Sequence, residues 1–256
     1  MCLRPTLAAE QLEVLRETFG LREARERDPH FSQPVAAWLD VARCAELLDD
    51  LAMRMGAPSR RVAASLLTKR LGFLTTGVAF QALSVCGQRL DLRPANVWIE
   101  DGHVRGRWQS ALPLNDARPL PELHDHAQAR AAVARTLFGE LVGPLWEALA
   151  RVSRVSPHIL WENAAVRLHS LYDHRLPERV APTVQTRCAE DFAWLLAASP
   201  ADLGLEVNPL AQFRRPAVTD DAGRSIRFRR TCCFYYQAST PSEYCTNCPL
   251  IRPRQT

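Results

Sequence analysis

The chain lacks the features that most often announce a function. Its 32 basic and 28 acidic side chains leave an excess of only +4 over 256 residues, too little for an electrostatic grip on duplex nucleic acid. No stretch approaches the roughly 18 uninterrupted apolar residues of a membrane-spanning helix, because the best candidate, Leu71 to Leu83, is broken by Thr75, Thr76 and Gly77. Glu10, Glu13 and Glu17 stand where an export signal would be apolar. A cytoplasmic protein is therefore expected, with no nucleic-acid partner, no transmembrane segment and at most peripheral association with the inner membrane. The 11 glycines are thinly scattered, and no phosphate-binding loop, G-x-S-x-G elbow or dinucleotide fingerprint occurs. Any electron used by this protein is expected to come from another protein.

What remains is globular: 47% hydrophobic and 23% charged side chains, enough to bury a core. Lys69 is the sole lysine, an arginine bias of the kind that follows genome base composition. Apolar recurrence at helical spacing predicts helices over 34–56, from Ser59 towards Cys86, over 121–151, over 157–172 and over 184–197. Between them, Asn96–Glu100 and His103–Trp108 flank Asp101-Gly102, a hairpin signal. The fold class expected is mainly α, a helical body with a small β-hairpin insertion and a C-terminal cysteine-rich lobe. Its boundaries are an N-terminal extension over 1–33, a substrate-binding body over 34–210 and a cysteine-rich region over 211–256.

Of the eight cysteines, Cys44 and Cys86 lie in helical apolar patterns and read as buried, unreactive thiols. Cys2 and Cys188 stand apart. The other four, Cys232, Cys233, Cys245 and Cys248, fall in the last 25 residues. A secreted disulfide framework belongs to small exported chains with little core, so the clustering points to metal ligation. Cys245-Thr-Asn-Cys248 has the two-residue gap that aims both sulfurs at one metal or cluster edge. The adjacent pair Cys232-Cys233 is unlike a zinc ribbon, because neighbouring side chains in extended backbone diverge. Two irons of a 2Fe-2S cluster would suit them better than one tetrahedral ion, while structural zinc stays open as an alternative.

The run Arg229-Arg230-Thr-Cys232-Cys233-Phe-Tyr-Tyr, followed by Tyr244-Cys245-Thr-Asn-Cys248-Pro-Leu, resembles the C-terminal signature of the FhuF-like ferric-siderophore reductases. Gly143-Pro-Leu-Trp146 and Ser156-Pro-His-Ile-Leu-Trp161-Glu-Asn163-Ala-Ala resemble their helical body. The resemblance implies that Cys232, Cys233, Cys245 and Cys248 hold a 2Fe-2S cluster, although residues 234–244 make a gap of eleven where the family motif has ten. It also implies one-electron reduction of a ferric siderophore, of hydroxamate type, with a ferredoxin or its reductase as donor and no catalytic side chain beyond the cluster. The alternatives are a structural-zinc binding protein and a 2Fe-2S electron carrier or redox sensor.

Six arginines between Arg214 and Arg230 face only Asp220 and Asp221. Arg227, Arg229, Arg230 and Tyr236 are the candidates for contact with substrate or redox partner. Phe234, Tyr235, Tyr236 and Tyr244 are expected to shield the metal site. Structural or solvated roles are expected for all 7 histidines, His124 and His126 at a helix start among them.

Overall fold

Helix α4, Arg60–Phe80, is the axis of the molecule: 16 of its 21 residues are buried. The computed structural model describes residues 5–176, 180–219 and 223–252; Cys2, Asp220 and Asp221 lie outside them. Ser59 starts α4 by accepting the Val62 N–H. Thr75 and Thr76, which interrupt the apolar run, donate their hydroxyls to the carbonyls of Leu71 and Gly72 at 2.8 and 2.6 Å, so their polarity is satisfied inside the core. Two glycines let neighbours approach. A Cβ on Gly77 would stand 2.0 Å from the Phe19 ring of α1, Ala9–Phe19, and one on Gly72 would stand 3.0 Å from the Ala164 Cα of α7, Pro157–Ser170. The axis then runs into a π-helical segment, Gln81–Val85.

The fold is mainly α, at 58% helix with a small sheet. The helix expected over 34–56 is two, α2 at Val35–Leu39 and α3 at Val41–Met55. Asp40 breaks it by taking extended backbone and accepting the Arg43 N–H at 2.8 Å, an N-cap that apolar periodicity does not register. Helix α5, His126–Ala134, continues through the π-helical Arg135–Val142 into α6, Gly143–Ser153, and α8 spans Pro182–Ala197. Two short helices, α9 at Pro200–Leu203 and α10 at Pro209–Gln212, follow. Among the described residues no helix is long and apolar enough to cross a membrane.

The hairpin forms, with its turn four residues later than expected. Strands β3, Trp98–Val104, and β4, Arg107–Leu114, pair antiparallel and close at Arg105-Gly106, where both residues have positive φ. Asp101 and Gly102 are strand residues: Asp101 is buried against Arg54 at 3.0 Å, and a Cβ on Gly102 would meet the Gln109 carbonyl. Two further strands, β1 at Leu21–Glu23 and β2 at Ser32–Pro34, extend the hairpin into a four-stranded sheet ordered β1-β4-β3-β2. Only β1 pairs in parallel. Each is three residues long, too short to show alternation. Leu15, Phe19 and Leu21 join the same core as α4, so α1 and β1, both before residue 34, pack on the body.

His126, expected as a surface or capping residue, places Nε2 2.8 Å from the buried Asp191 carboxylate, which also accepts Ser84 Oγ at 2.6 Å and Arg130 at 3.2 Å. This tie joins α5, α8 and the π-helical segment after α4; Asp191 lies 65 residues from His126 and 107 from Ser84. Cys188 belongs to that neighbourhood, 3.8 Å from the Ser84 carbonyl. Burial pushes the thiols of Cys44, Cys86 and Cys188 up to about 11, which keeps them protonated.

His169 is buried on α7 and hydrogen-bonds the Leu210 carbonyl at 2.9 Å; burial pushes its pKa down from 6.5 to about 4. Between those values the folded protein binds fewer protons than the unfolded chain, so this residue's stabilisation is present above 6.5 and lost as pH falls through 4. Replacing His169 with Gln removes a dependence of about 3 kcal/mol at most. In urea denaturation, the loss of stability between pH 7.5 and pH 5 is expected to be smaller in the variant. Asp101, pushed up to about 6 by burial, titrates alike in both proteins and cancels from the comparison.

Candidate metal centre

The four C-terminal cysteines come together in two facing pairs. Cys233 Sγ lies 3.8 Å from Cys245 Sγ, and Cys248 is near enough to Cys232 to help push its thiol up, after burial. Phe234 adopts left-handed backbone, φ 62°, which turns its N–H back onto Cys232 Sγ at 3.3 Å. On the other strand of the site, the Cys248 N–H closes a tight turn on the Cys245 carbonyl at 2.9 Å. The Arg229 N–H donates to the Asn247 carbonyl at 3.0 Å and joins the two cysteine segments. All four thiols are free.

The helical body grips this lobe through two adjacent residues of α7. Glu162 has no exposed surface, and its carboxylate accepts the Arg230 N–H at 2.6 Å, the Thr231 N–H at 2.7 Å and the Thr231 hydroxyl at 2.5 Å. Asn163 donates to the Ser65 carbonyl and Thr68 Oγ1 on α4 and accepts from Arg229 at 2.6 Å. Ser65 Oγ in turn donates to the Cys233 carbonyl at 3.0 Å. Arg229, whose Nε lies 3.7 Å from Glu162, is 2% exposed. Buried charges of this kind persist only when paired and hydrogen-bonded.

Lys69 stands one helical turn after Ser65 and points Nζ at Cys233 Sγ, 3.7 Å away, over the Tyr235 ring. Burial and the neighbouring arginines lower its pKa, while Cys233 acts the other way. The Cys233 thiol is held low by its hydrogen bond with Cys245, then by Lys69 and Arg229; Cys245 is pushed up by the same partner. A cleft of about 650 Å³ opens beside these groups, lined by Lys69, Arg167, Arg227, Arg229, Tyr235 and Cys245 among others. A second, of about 500 Å³, shares Lys69, Arg167 and Tyr235.

Of the other residues singled out in the sequence, Arg227 lines the larger cleft, 3.7 Å from Asp173, and Arg229 lines it as a buried clamp. Arg230 is exposed and contributes its backbone N–H to Glu162. Tyr236 stacks on Tyr244, ring centres 5.3 Å apart, and Phe234 lies under the Arg61 guanidinium. Lys69 and Arg167 were not singled out. Their signal is faint: one lysine in a chain that otherwise uses arginine, and one arginine inside an apolar helix.

Two family models match the chain. The one described as "Ferric iron reductase FhuF-like transporter" covers residues 65–221, and the "FhuF 2Fe-2S C-terminal domain" covers residues 229–250. The chain belongs to the FhuF-like ferric iron reductase family. Its cofactor is a 2Fe-2S cluster, and iron reduction is its general activity. A search of curated proteins found no match.

The residues present fit such a cluster. Two thiolates on one tetrahedral metal with metal–sulfur bonds of about 2.3 Å lie about 3.8 Å apart, the separation of Cys233 and Cys245. Among the described residues no three His, Cys, Asp or Glu side chains are placed to hold one ion. The donors converge by twos, as a two-iron group requires.

Glu162→Gln tests the grip of α7. The amide sets an NH2 against one of the loop's donors and leaves Arg229 without its counter-charge, so chemical denaturation is expected to show a loss of about 3 kcal/mol. Hydrogen exchange at the Thr231 amide is expected to speed up more than exchange in α4.

Proposed function

We propose that this protein reduces ferric siderophores in the cytoplasm, with Cys233 and Cys245 holding one iron of the cluster and Cys232 and Cys248 the other. The observation that carries this reading is Cys245 on the wall of a cleft of about 650 Å³ that α7 and the cysteine lobe share. The cluster supplies one-electron transfer. The helical body over 34–210 forms the far wall and receives the chelate, and residues 211–256 present the sulfurs to it. Tyr235 and Tyr244 border that cleft and limit water between sulfur and substrate. Lys69 and Arg229 compensate thiolate charge beside Cys233.

Substrate Fe(III) is hard and tightly bound by hydroxamate or other anionic oxygens; one electron makes it Fe(II), which those oxygens hold far less well, and the metal leaves. No bond from protein to substrate forms and no proton moves, so positioning is the chain's contribution. The electron comes from a donor protein, a ferredoxin or its reductase.

Anaerobic purification followed by iron, sulfide and zinc analysis, with visible and EPR spectra before and after dithionite, tests the ligand set. Two irons and two sulfides per chain and a colour that bleaches on reduction are expected, and Cys233→Ser is expected to abolish both colour and ferric-siderophore turnover. One zinc and no chromophore after attempted reconstitution would overturn the reading. A protein that bleaches but reduces no ferric siderophore would be an electron carrier instead.

A further inference from the structure

More positive charge gathers beside the cysteines than the carboxylates there neutralise. Arg167, on α7, has no hydrogen-bond or ion-pair partner among the described residues, and its Nε is buried without an acceptor. Its side chain lines both clefts. Arg70 donates only to Ser110, a neutral partner, and the guanidinium groups of Arg70 and Arg175 both lie over the Phe73 ring, 5.2 Å from its centre. These cations feel one another. Burial first, and then Arg229, Arg175 and Arg70, push Arg167 down to about 10.

The carboxylates nearby are already engaged. Glu162 takes three hydrogen bonds and faces Arg229. Asp173 is paired with Arg214 at 3.0 Å and lies 3.7 Å from Arg227. Glu243, on the smaller cleft with Arg70 and Arg167, accepts from the Tyr235 hydroxyl at 3.3 Å and keeps its charge, but it forms no ion pair with either arginine. Lys69 and Arg229 stand against the sulfurs and Arg167 feels the Cys233 thiolate from farther off, so among the described residues Arg70, Arg167 and Arg175 form no ion pair with a carboxylate. Like charges held together at partial burial repel strongly, because water screens them poorly there. A guanidinium with open valence at the wall of a cleft is matched best by a carboxylate, which it binds through two parallel hydrogen bonds.

Resting on the reductase reading, we infer that the substrate is a ferric chelate of net negative charge whose peripheral carboxylate is received by Arg167 in the larger cleft. Arg70 and Arg175 add to the attracting field. The hydroxamate class expected from the sequence resemblance is narrowed by this to chelates that also carry an acidic group.

Charge can be varied with the metal's coordination held constant. A linear trihydroxamate with a terminal amine is cationic, its acetylated form is neutral and its succinylated form is anionic. Gallium(III) has the charge and nearly the size of ferric ion but accepts no electron here, so calorimetric titration of the cluster-loaded protein with the three gallium complexes reads binding apart from reduction. The succinylated complex is expected to bind about tenfold more tightly than the free amine, with the preference falling as salt is raised. Arg167→Gln is expected to bring the three close together, and the exposed Arg175→Gln to reduce the preference in part. The Arg175 variant and the salt series keep the test decisive if the Arg167 variant does not fold. Equal binding of the three forms, preference for the amine, or no binding of any overturns the inference. The iron complexes of the same three ligands separate the two readings. Equal reduction of all three, with equal binding, removes the charge selection and leaves the reductase; charge-selective binding without reduction of any removes the reductase and leaves the anion site.

Discussion

A carboxylate sealed from water is what the arrangement of the site depends on. Glu162 is tolerated in the core because two backbone amides, one hydroxyl and one guanidinium converge on it. Those donors belong to Arg229, Arg230 and Thr231, the residues directly before the first cysteine pair. The constraint therefore runs both ways: the loop supplies the charge's solvation, and the charge fixes where Cys232 and Cys233 emerge. Asn163, the next residue on α7, repeats the logic towards α4 and Arg229. The close packing of α4 on α7 at Gly72 and Ala164 brings these polar side chains within reach of one another. Apolar packing sets the frame, and a short polar network inside it aims the sulfurs.

Much of this could be read from local pattern, for local reasons. Helical recurrence located the long helices because each buries a stripe of its own surface. The cysteine spacing identified the metal region because thiolate ligation needs little beyond the right sulfurs on a tight turn. The misplaced hairpin turn has a physical cause too: Asp-Gly suits a two-residue turn, yet Asp101 gains a buried ion pair with Arg54 from α3, and the turn falls instead at Arg105-Gly106. Tertiary gain outweighed local preference, and the deciding partner lies 47 residues away. The split at Asp40 is the reverse case, a local cap inside a continuous apolar pattern.

Glu162, Lys69 and Arg167 were illegible as site residues for one common reason. Their roles arise from where two helices cross, and a charged residue on an apolar helix face looks the same in sequence whether it is solvated, paired or waiting for a ligand. Arg229 and Arg230 illustrate the ambiguity within one dipeptide. The first is a buried clamp on Glu162 and Asn163, whereas the second exposes its side chain and lends only its backbone.

The cations at the site answer to two different demands. Lys69, 3.7 Å from Cys233 Sγ, acts at the sulfur, where each added electron brings another negative charge into a partly buried space. A fixed ammonium there favours the reduced state without any movement of the chain. Arg167 has no such sulfur contact, and its guanidinium is shared between the walls of two clefts. A chain that needed positive charge only for its cofactor would gain nothing by holding three further arginines near one another, since each raises the cost of the next. On the inference drawn above, an anionic chelate drawn towards the sulfurs would offset that cost while it is bound.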